Sequence, residues 1–283
     1  MKGLIAFILI VCFGISYGNT ERIDYYREKV ISANTDELRV KYNDSLVEEM
    51  NQYFTNASSF DQEFALKSAA VINSSDKKIR LINWNLPFEN GTHQYFGFVQ
   101  YKDKSGYKYF PLTDITDSIA ISEKKTYTSN AWPGALYYEL IPIKKRKNIY
   151  YVLLGWDGND RLTTKKVIDC MYFSKGKLLF GADIFKLDKG FKKRMVFEYS
   201  AEYTMTLRYE KDNKTIVFEH LDCEDPKFKG NYEYYGPDGS YDALIIKKGK
   251  LNYELFYDAR NDKEKVDKIY RDPRNAPPTP GGR

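Results

Sequence analysis

His93 and His220 are the chain's only imidazoles, and each falls in a stretch that alternates like a strand. Beside a carboxylate either could serve as a general base, and the two together supply at most two nitrogen ligands. A three-histidine zinc site is therefore excluded, and no H-E-x-x-H or paired C-x-x-C spacing occurs. A mixed zinc site using both histidines stays open, but strand histidines ordinarily pack and hydrogen-bond, and that role is expected of both. A nucleophile elbow needs a strand before it and a helix after it, and the single G-x-S-x-G, Gly14 to Gly18, instead straddles the expected leader cleavage site.

Carboxylates are more plentiful. Glu139, Asp169, Glu198, Glu219 and Asp242 are expected on exposed strand faces. A glycosidase needs two of them about 5 Å, or roughly 6.5 to 9.5 Å, apart across a sugar. Glu198 and Glu219, separated by one hairpin unit, are the first pair to test. Asp157, Asn159 and Asp160 in W-D-G-N-D offer oxygens to a cation, but the twelve-residue alternation and terminal Glu of an EF-hand are missing. Asp-Gly is also a common hairpin closure, so the segment reads as a turn. The same holds for Gly236-Pro237-Asp238-Gly239-Ser240-Tyr241-Asp242. No cofactor or metal is implied.

Lys144-Lys145-Arg146-Lys147 could meet phosphates or an anionic surface; the default is a solvated hairpin tip, because aromatic interleaving is absent there. Beyond the leader the cysteines are Cys170 and Cys223. They form either a disulfide or two separate thiols, and nothing in the sequence brings their Cα atoms within the ~7 Å a bridge requires.

The elements that must position these residues centre on 136–173. LYYELIPI, the basic tip, IYYVLLGW, a polar turn and KKVIDCMYF describe an antiparallel meander. Within 150–156 both alternating sets are apolar, as in a central strand covered on two sides. Further strands are expected at 79–84, 93–101, 107–110, 177–181, 194–200, 203–209, 215–221, 230–235, 241–247 and 251–257. Turns fall at 73–76, 89–92, 211–214, 236–239 and 248–250. The fold class is mainly β: an antiparallel multi-stranded sandwich or a propeller-like architecture, with a helical N-terminal segment. A loose echo between IRLINWN and VLLGWDG is what blade-like repeats would produce.

In 36–54, Leu38, Tyr42, Leu46, Met50 and Tyr53 form one helical stripe, with Asn34 and Glu37 as the cap pair. A second helix is expected over 60–71, with Ser59 and Gln62 as its capping box. Both read as a cover on a sheet rather than a partner-binding surface. Lys2, the apolar core from Leu4 to Ile15, and Ser16-Tyr17-Gly18 have the three parts of a secretory signal. The chain thus divides into a signal peptide (1–18), a helical segment (19–72), an all-β domain (73–262) and a Pro- and Gly-rich disordered tail (263–283).

The 283 residues are 42% apolar and 16% aromatic, with 25 Tyr, ample material for a core. Loss of Lys2 with the leader leaves 43 basic against 39 acidic residues, a net charge of +4. That is too balanced to argue for nucleic acid. No second apolar stretch is long enough to span a bilayer. Five N-x-S/T triplets, at Asn43, Asn56, Asn73, Asn90 and Asn213, matter only in a host that glycosylates them.

YYVLLGWDGND (150–160), FGADIFK (180–186), RMVFEYSAE (194–202) and YYGPDGSYDAL (234–244) together resemble an uncharacterised family of secreted or periplasmic proteins of the Bacteroidetes. The resemblance covers about 79–262 and rests mainly on the GWDGND and YGPDGSYD motifs. It implies a periplasmic or secreted location and unmodified sequons, and it carries over no activity, ligand or catalytic residue. The sequence therefore gives a β-rich extracytoplasmic protein, binding an unknown partner or ligand or serving an envelope role, with a carboxylate-dependent hydrolase of glycans or esters as the alternative.

Overall fold

The computed structural model describes residues 14–116 and 120–259, with side chains from residue 20 onward. The first thirteen residues of the expected leader and the expected tail at 263–283 lie outside that range. Two helices come first, α1 (Gly14–Ser32) and α2 (Asp36–Thr55). A three-residue link and the Arg22–Glu49 ion pair, 2.5 Å, make them an antiparallel hairpin. α1 crosses the expected cleavage point. α2 matches the stripe, burying Leu46, Met50, Tyr53 and Phe54 while Leu38 stays exposed. Its cap is Thr35, one residue later than expected, whose Oγ1 accepts from the Leu38 N–H at 3.3 Å.

The helix expected over 60–71 does not form. A single 3-10 turn, Ala57–Phe60, gives way to extended chain. The cause is Arg80: its guanidinium donates to the carbonyls of Ser59, Phe60 and Gln62 at 3.0, 2.9 and 2.7 Å. Carbonyls satisfied by a side chain have no need of helical amides.

The strands are β1 (Ala70–Asn73), β2 (Ile79–Pro87), β3 (His93–Asp103) and β4 (Gly106–Thr113), which form the first sheet in that order. Then come β5 (Tyr127–Thr128), β6 (Leu136–Lys145), β7 (Asn148–Asp157), β8 (Thr163–Ser174) and β9 (Lys177–Phe180). They are followed by β10 (Phe185–Leu187), β11 (Gly190–Lys192) and β12 (Met195–Ser200). The last are β13 (Leu207–Glu210), β14 (Thr215–Asp222), β15 (Gly236–Lys247) and β16 (Lys250–Glu254). The second sheet runs β5-β9-β8-β7-β6 with β12 paired to β8, and the third runs β11-β10-β16-β15-β14-β13.

Three apolar cores stack these parts into four layers. Phe54, Trp84 and Phe98 lie between the helices and the first sheet. Leu81, Val99, Tyr137, Tyr151 and Leu153 lie between the first and second sheets. Val152, Leu154, Ile168, Phe218 and Leu244 lie between the second and third. β7 therefore sends Tyr151 and Leu153 to one core and Val152 and Leu154 to the other, as the doubly apolar 150–156 run requires. Each such fully buried side chain stabilises the fold by roughly 1.5–3 kcal/mol. The helices cover the sheet, as expected. Of the two β architectures, the sandwich is the one built; Trp84 and Trp156, the ends of the sequence echo, sit in different layers.

Three further expectations fail locally. Residues 230–235 form no strand, because the segment folds into 3-10 turns at Pro226–Phe228 and Tyr232–Tyr234, with Phe228 and Tyr234 stacked on each other at 4.0 Å. Gly236 to Gly239 is not a hairpin turn but the start of β15. There the register slips, from Glu219↔Tyr241 to Leu221↔Pro237, and Gly239 at φ +88° takes the bulge. Likewise the strand expected at 203–209 is ordered only as the four-residue β13.

Candidate binding cleft

Where the first and second sheets meet, β7, β8 and β12 place three charges in a row. Asp157 pairs in register with Lys165, and Lys165 with Glu198, so all three project from one face of the second sheet. The Lys165 ammonium lies 3.9 Å from Asp157 Oδ2 and 3.8 Å from Glu198 Oε2, and it donates to Asn159 Oδ1 at 2.6 Å. The two carboxylate oxygens nearest the ammonium are thus under about 8 Å apart. The row lines a cleft of about 290 Å³ whose other walls include His93, Pro133, Val167 and Arg194.

The rim is built by fixed hydrogen bonds. Tyr95 donates to Asp157 Oδ1 at 2.8 Å and accepts the Gly158 N–H at 2.7 Å, while the Asn159 N–H reaches the same carboxylate oxygen at 2.9 Å. Burial and the Asp157 charge push the Tyr95 phenol far above its ordinary value, so it stays a neutral donor. Asp114 gathers the N–H groups of Tyr95, Thr116 and Gly134 at 2.9, 2.9 and 3.2 Å, and burial raises its carboxyl. A Cβ on Gly134 would meet Asp114 Oδ1 at 2.4 Å, which is why glycine follows Trp132-Pro133.

His93 belongs to this cleft. Asn85 Nδ2 donates to its Nδ1 at 2.9 Å, leaving the ring proton on Nε2. Burial, opposed by the Asp157 charge, holds its pKa below the ordinary 6.5. The imidazole is consequently a neutral donor rather than a ready base. A Cβ on Gly158 would lie 2.3 Å from Nε2, so the glycine of the W-D-G-N-D turn is what lets the ring approach.

Arg194 forms the deep wall. It is fully buried, with Nε donating to Asp169 Oδ2 at 3.1 Å, Nη1 to the carbonyls of Ser122 and Lys125, and the Tyr127 ring 4.7 Å away. Its Nη2 has no partner. The cleft thus offers Lys165 and the His93 N–H as donors and two carboxylates as acceptors, over apolar walls, with Arg194 sealed beneath them. No serine or cysteine lines it, and the Thr116 hydroxyl is held by Asp114.

The other sequence candidates disperse. Asp169 and Asp242 are not on exposed faces: Asp169 is sealed against Arg194 in the core, and Asp242 is 3% exposed. Asp242 Oδ2 takes His220 Nδ1 at 2.8 Å and the Tyr253 hydroxyl at 2.6 Å, a His–carboxylate contact on the third sheet. Glu198 and Glu219 sit on different sheets, and Glu219 accepts the Thr206 N–H, so they are not a working pair. Glu139 is half-buried, its carboxyl raised by burial. Cys170 is a buried free thiol and Cys223 a half-exposed one. Asp160 caps its own turn through the N–H groups of Leu162 and Thr163. Asn43 accepts from the Trp84 indole at 2.8 Å and is fully buried, out of reach of glycosylation in the folded chain. Among the described residues no group of three or more His, Cys, Asp or Glu is placed to hold a metal ion. No helix among them is long and apolar enough to cross a membrane.

Lys165 and Arg194 are the site residues the sequence did not single out. The signal for Lys165 was available, a lysine facing Asp157 across a short hairpin. None existed for Arg194, whose importance comes from burial alone. No known protein family, curated protein or solved structure matches the chain.

Proposed function

We propose that the protein is an exported, extracytoplasmic binding protein whose cleft holds a small polar ligand carrying both donors and acceptors, of sugar or amino-acid size. One observation carries the reading: an ammonium, two carboxylates and an imidazole N–H converge on a walled volume of about 290 Å³, the lower end of ligand-site sizes. Their positions are set by sheet register and by locked hydrogen bonds, so little ordering is required on binding. The chemistry of the walls favours binding over turnover, since the imidazole is a donor, no serine or cysteine lines the cleft and the lysine ammonium is shared between the two carboxylates. Export is supported by the three-part leader sequence and by the resemblance to secreted proteins.

The test is calorimetric titration of the protein with a panel of monosaccharides and free amino acids, repeated on Lys165→Met and Glu198→Gln. At least one probe should bind and lose tenfold or more in affinity in both variants. A panel without a binder, or a binder indifferent to both substitutions, rejects the reading. The shared ammonium between Asp157 and Glu198 favours one second reading, a carboxylate hydrolase of glycans or esters. Turnover of aryl glycosides or esters, abolished by Glu198→Gln with the fold intact, would put that reading first.

A further inference from the structure

The hairpin tips at one end of the sandwich are almost all lysine. The β6–β7 tip carries Lys144, Lys145, Arg146 and Lys147, and the β15–β16 tip Lys247, Lys248 and Lys250. These two tips touch: a Cβ on Gly249 would meet Lys145 Cβ at 2.7 Å. Lys175 and Lys177 of the β8–β9 turn lie on the same side, because β7 and β8 pair antiparallel from Tyr151↔Met171. Lys211 and Lys214 join through the Ile246 N–H, which donates to the Lys214 carbonyl at 3.0 Å.

The first sheet adds its own two tips. Lys77 and Lys78 lie beside Lys102 and Lys104, linked by the Lys102 N–H to the Lys78 carbonyl at 3.0 Å. The Tyr151 hydroxyl donates to Asp76 at 2.9 Å, and Tyr101 stacks on Phe173 at 4.2 Å, which fixes this sheet's tips level with those of the second. The six turns together hold fifteen lysines and arginines against three aspartates, Asp76, Asp103 and Asp212. Two of those three carboxylates are engaged by neighbouring hydroxyls.

The opposite end has the reverse sign. Glu202, Asp222, Glu224, Asp225, Glu233 and Asp238 line one hollow there, opposed within it by Arg161 alone. A chain whose formal net charge is only +5 therefore has two poles. α1 supplies an independent observation. The Phe54 carbonyl near the end of α2 accepts from Tyr107 at the start of β4, so the Gly14 end of the antiparallel α1 points toward the lysine tips.

We propose that this lysine-tipped end is the face by which the protein sits on an anionic lipid bilayer. Sheets stacked about 10 Å apart make it a broad base rather than a groove. Fourteen of the fifteen cations are lysines, hydrated point charges suited to diffuse attraction, not the bidentate forks that read phosphate or base edges. The six turns contain no aromatic residue, so base stacking has no platform in them. The acidic pole faces away from the surface and orients the molecule.

Co-sedimentation of the full chain with phosphatidylcholine vesicles, and with the same vesicles containing phosphatidylglycerol, tests this. The ratio of anionic to neutral partition should exceed tenfold at low salt and fall toward one at about 0.5 M salt, where screening is short-ranged. The Lys144→Glu, Lys147→Glu, Lys247→Glu, Lys248→Glu variant should lose at least about tenfold of that ratio, while Lys227→Glu, Lys229→Glu at the other pole should not. The wild-type salt series decides the matter should the fourfold variant misfold. Equal partition into both vesicles, a ratio untouched by the tip reversals in a folded variant, or retention by duplex DNA but not by anionic vesicles overturns the proposal.

Discussion

Replacing Asp169 by Asn should destabilise the protein by about 3–5 kcal/mol, the cost of leaving one member of a buried pair uncompensated. Asp169 and Arg194 are both fully buried, 3.1 Å apart, at the middle of the second sheet. The guanidinium has no water to fall back on: Nη1 is committed to two carbonyls and Nη2 already lacks a partner. Its position is sterically held as well, since a Cβ on Gly181 would lie 2.7 Å from Nη2. The carboxylate also accepts the Cys170 N–H at 2.7 Å. Asn keeps that volume and that acceptor, so the loss isolates the charge. Against a typical total of about 5–15 kcal/mol, the effect is roughly a fifth or more of the stability. Urea unfolding followed by tryptophan fluorescence is the assay, with Arg194→Met and the double variant completing a cycle. The double variant should be more stable than either single predicts by addition, because removing both charges leaves no orphan. Single losses below about 1 kcal/mol, or simple additivity, would refute the reasoning.

Three further outcomes are expected. Gly158→Ala, whose methyl would press on His93 Nε2, should displace the ring and weaken any ligand held in the cleft by tenfold or more while changing the far-ultraviolet spectrum little. His93 should remain neutral below its ordinary 6.5, because burial depresses its pKa; the stability it contributes is complete above 6.5 and is lost as pH falls through the folded value, which nitrogen-15 titration of the ring reads directly. In the native protein Cys223 should react promptly with a thiol reagent and Cys170 only on unfolding, since burial raises the Cys170 thiol; equal rates would contradict the burial described.

The layered sandwich was largely legible because its central strands are apolar on both faces and its hairpins carry turn residues. Two of the failures share a cause, a polar side chain acting at a distance. Arg80 took the carbonyls that a 60–71 helix would have used, and no periodicity in that segment records a partner twenty residues away. Asp169 alternates correctly for an exposed face of a one-sided sheet, but β8 is covered on both sides, and only the buried Arg194 makes its charge tolerable. His93, Asp157 and Glu198 were each visible as candidates; what joined them was the register of β7, β8 and β12, together with a hydroxyl from Tyr95 in another sheet. Glu198 and Glu219 were the first pair to test on the strength of chain proximity, and Glu198 faces Lys165 instead.

The central claim is that the Asp157–Lys165–Glu198 row and His93 form one preset seat for a small polar ligand. Nitrogen-15 chemical-shift mapping with the tightest-binding sugar or amino acid of the panel addresses it most directly. The account predicts saturable shifts at His93 Nε2 and Lys165 Nζ, with His220 unmoved; shifts confined to His220, or to residues around Cys223, would contradict it.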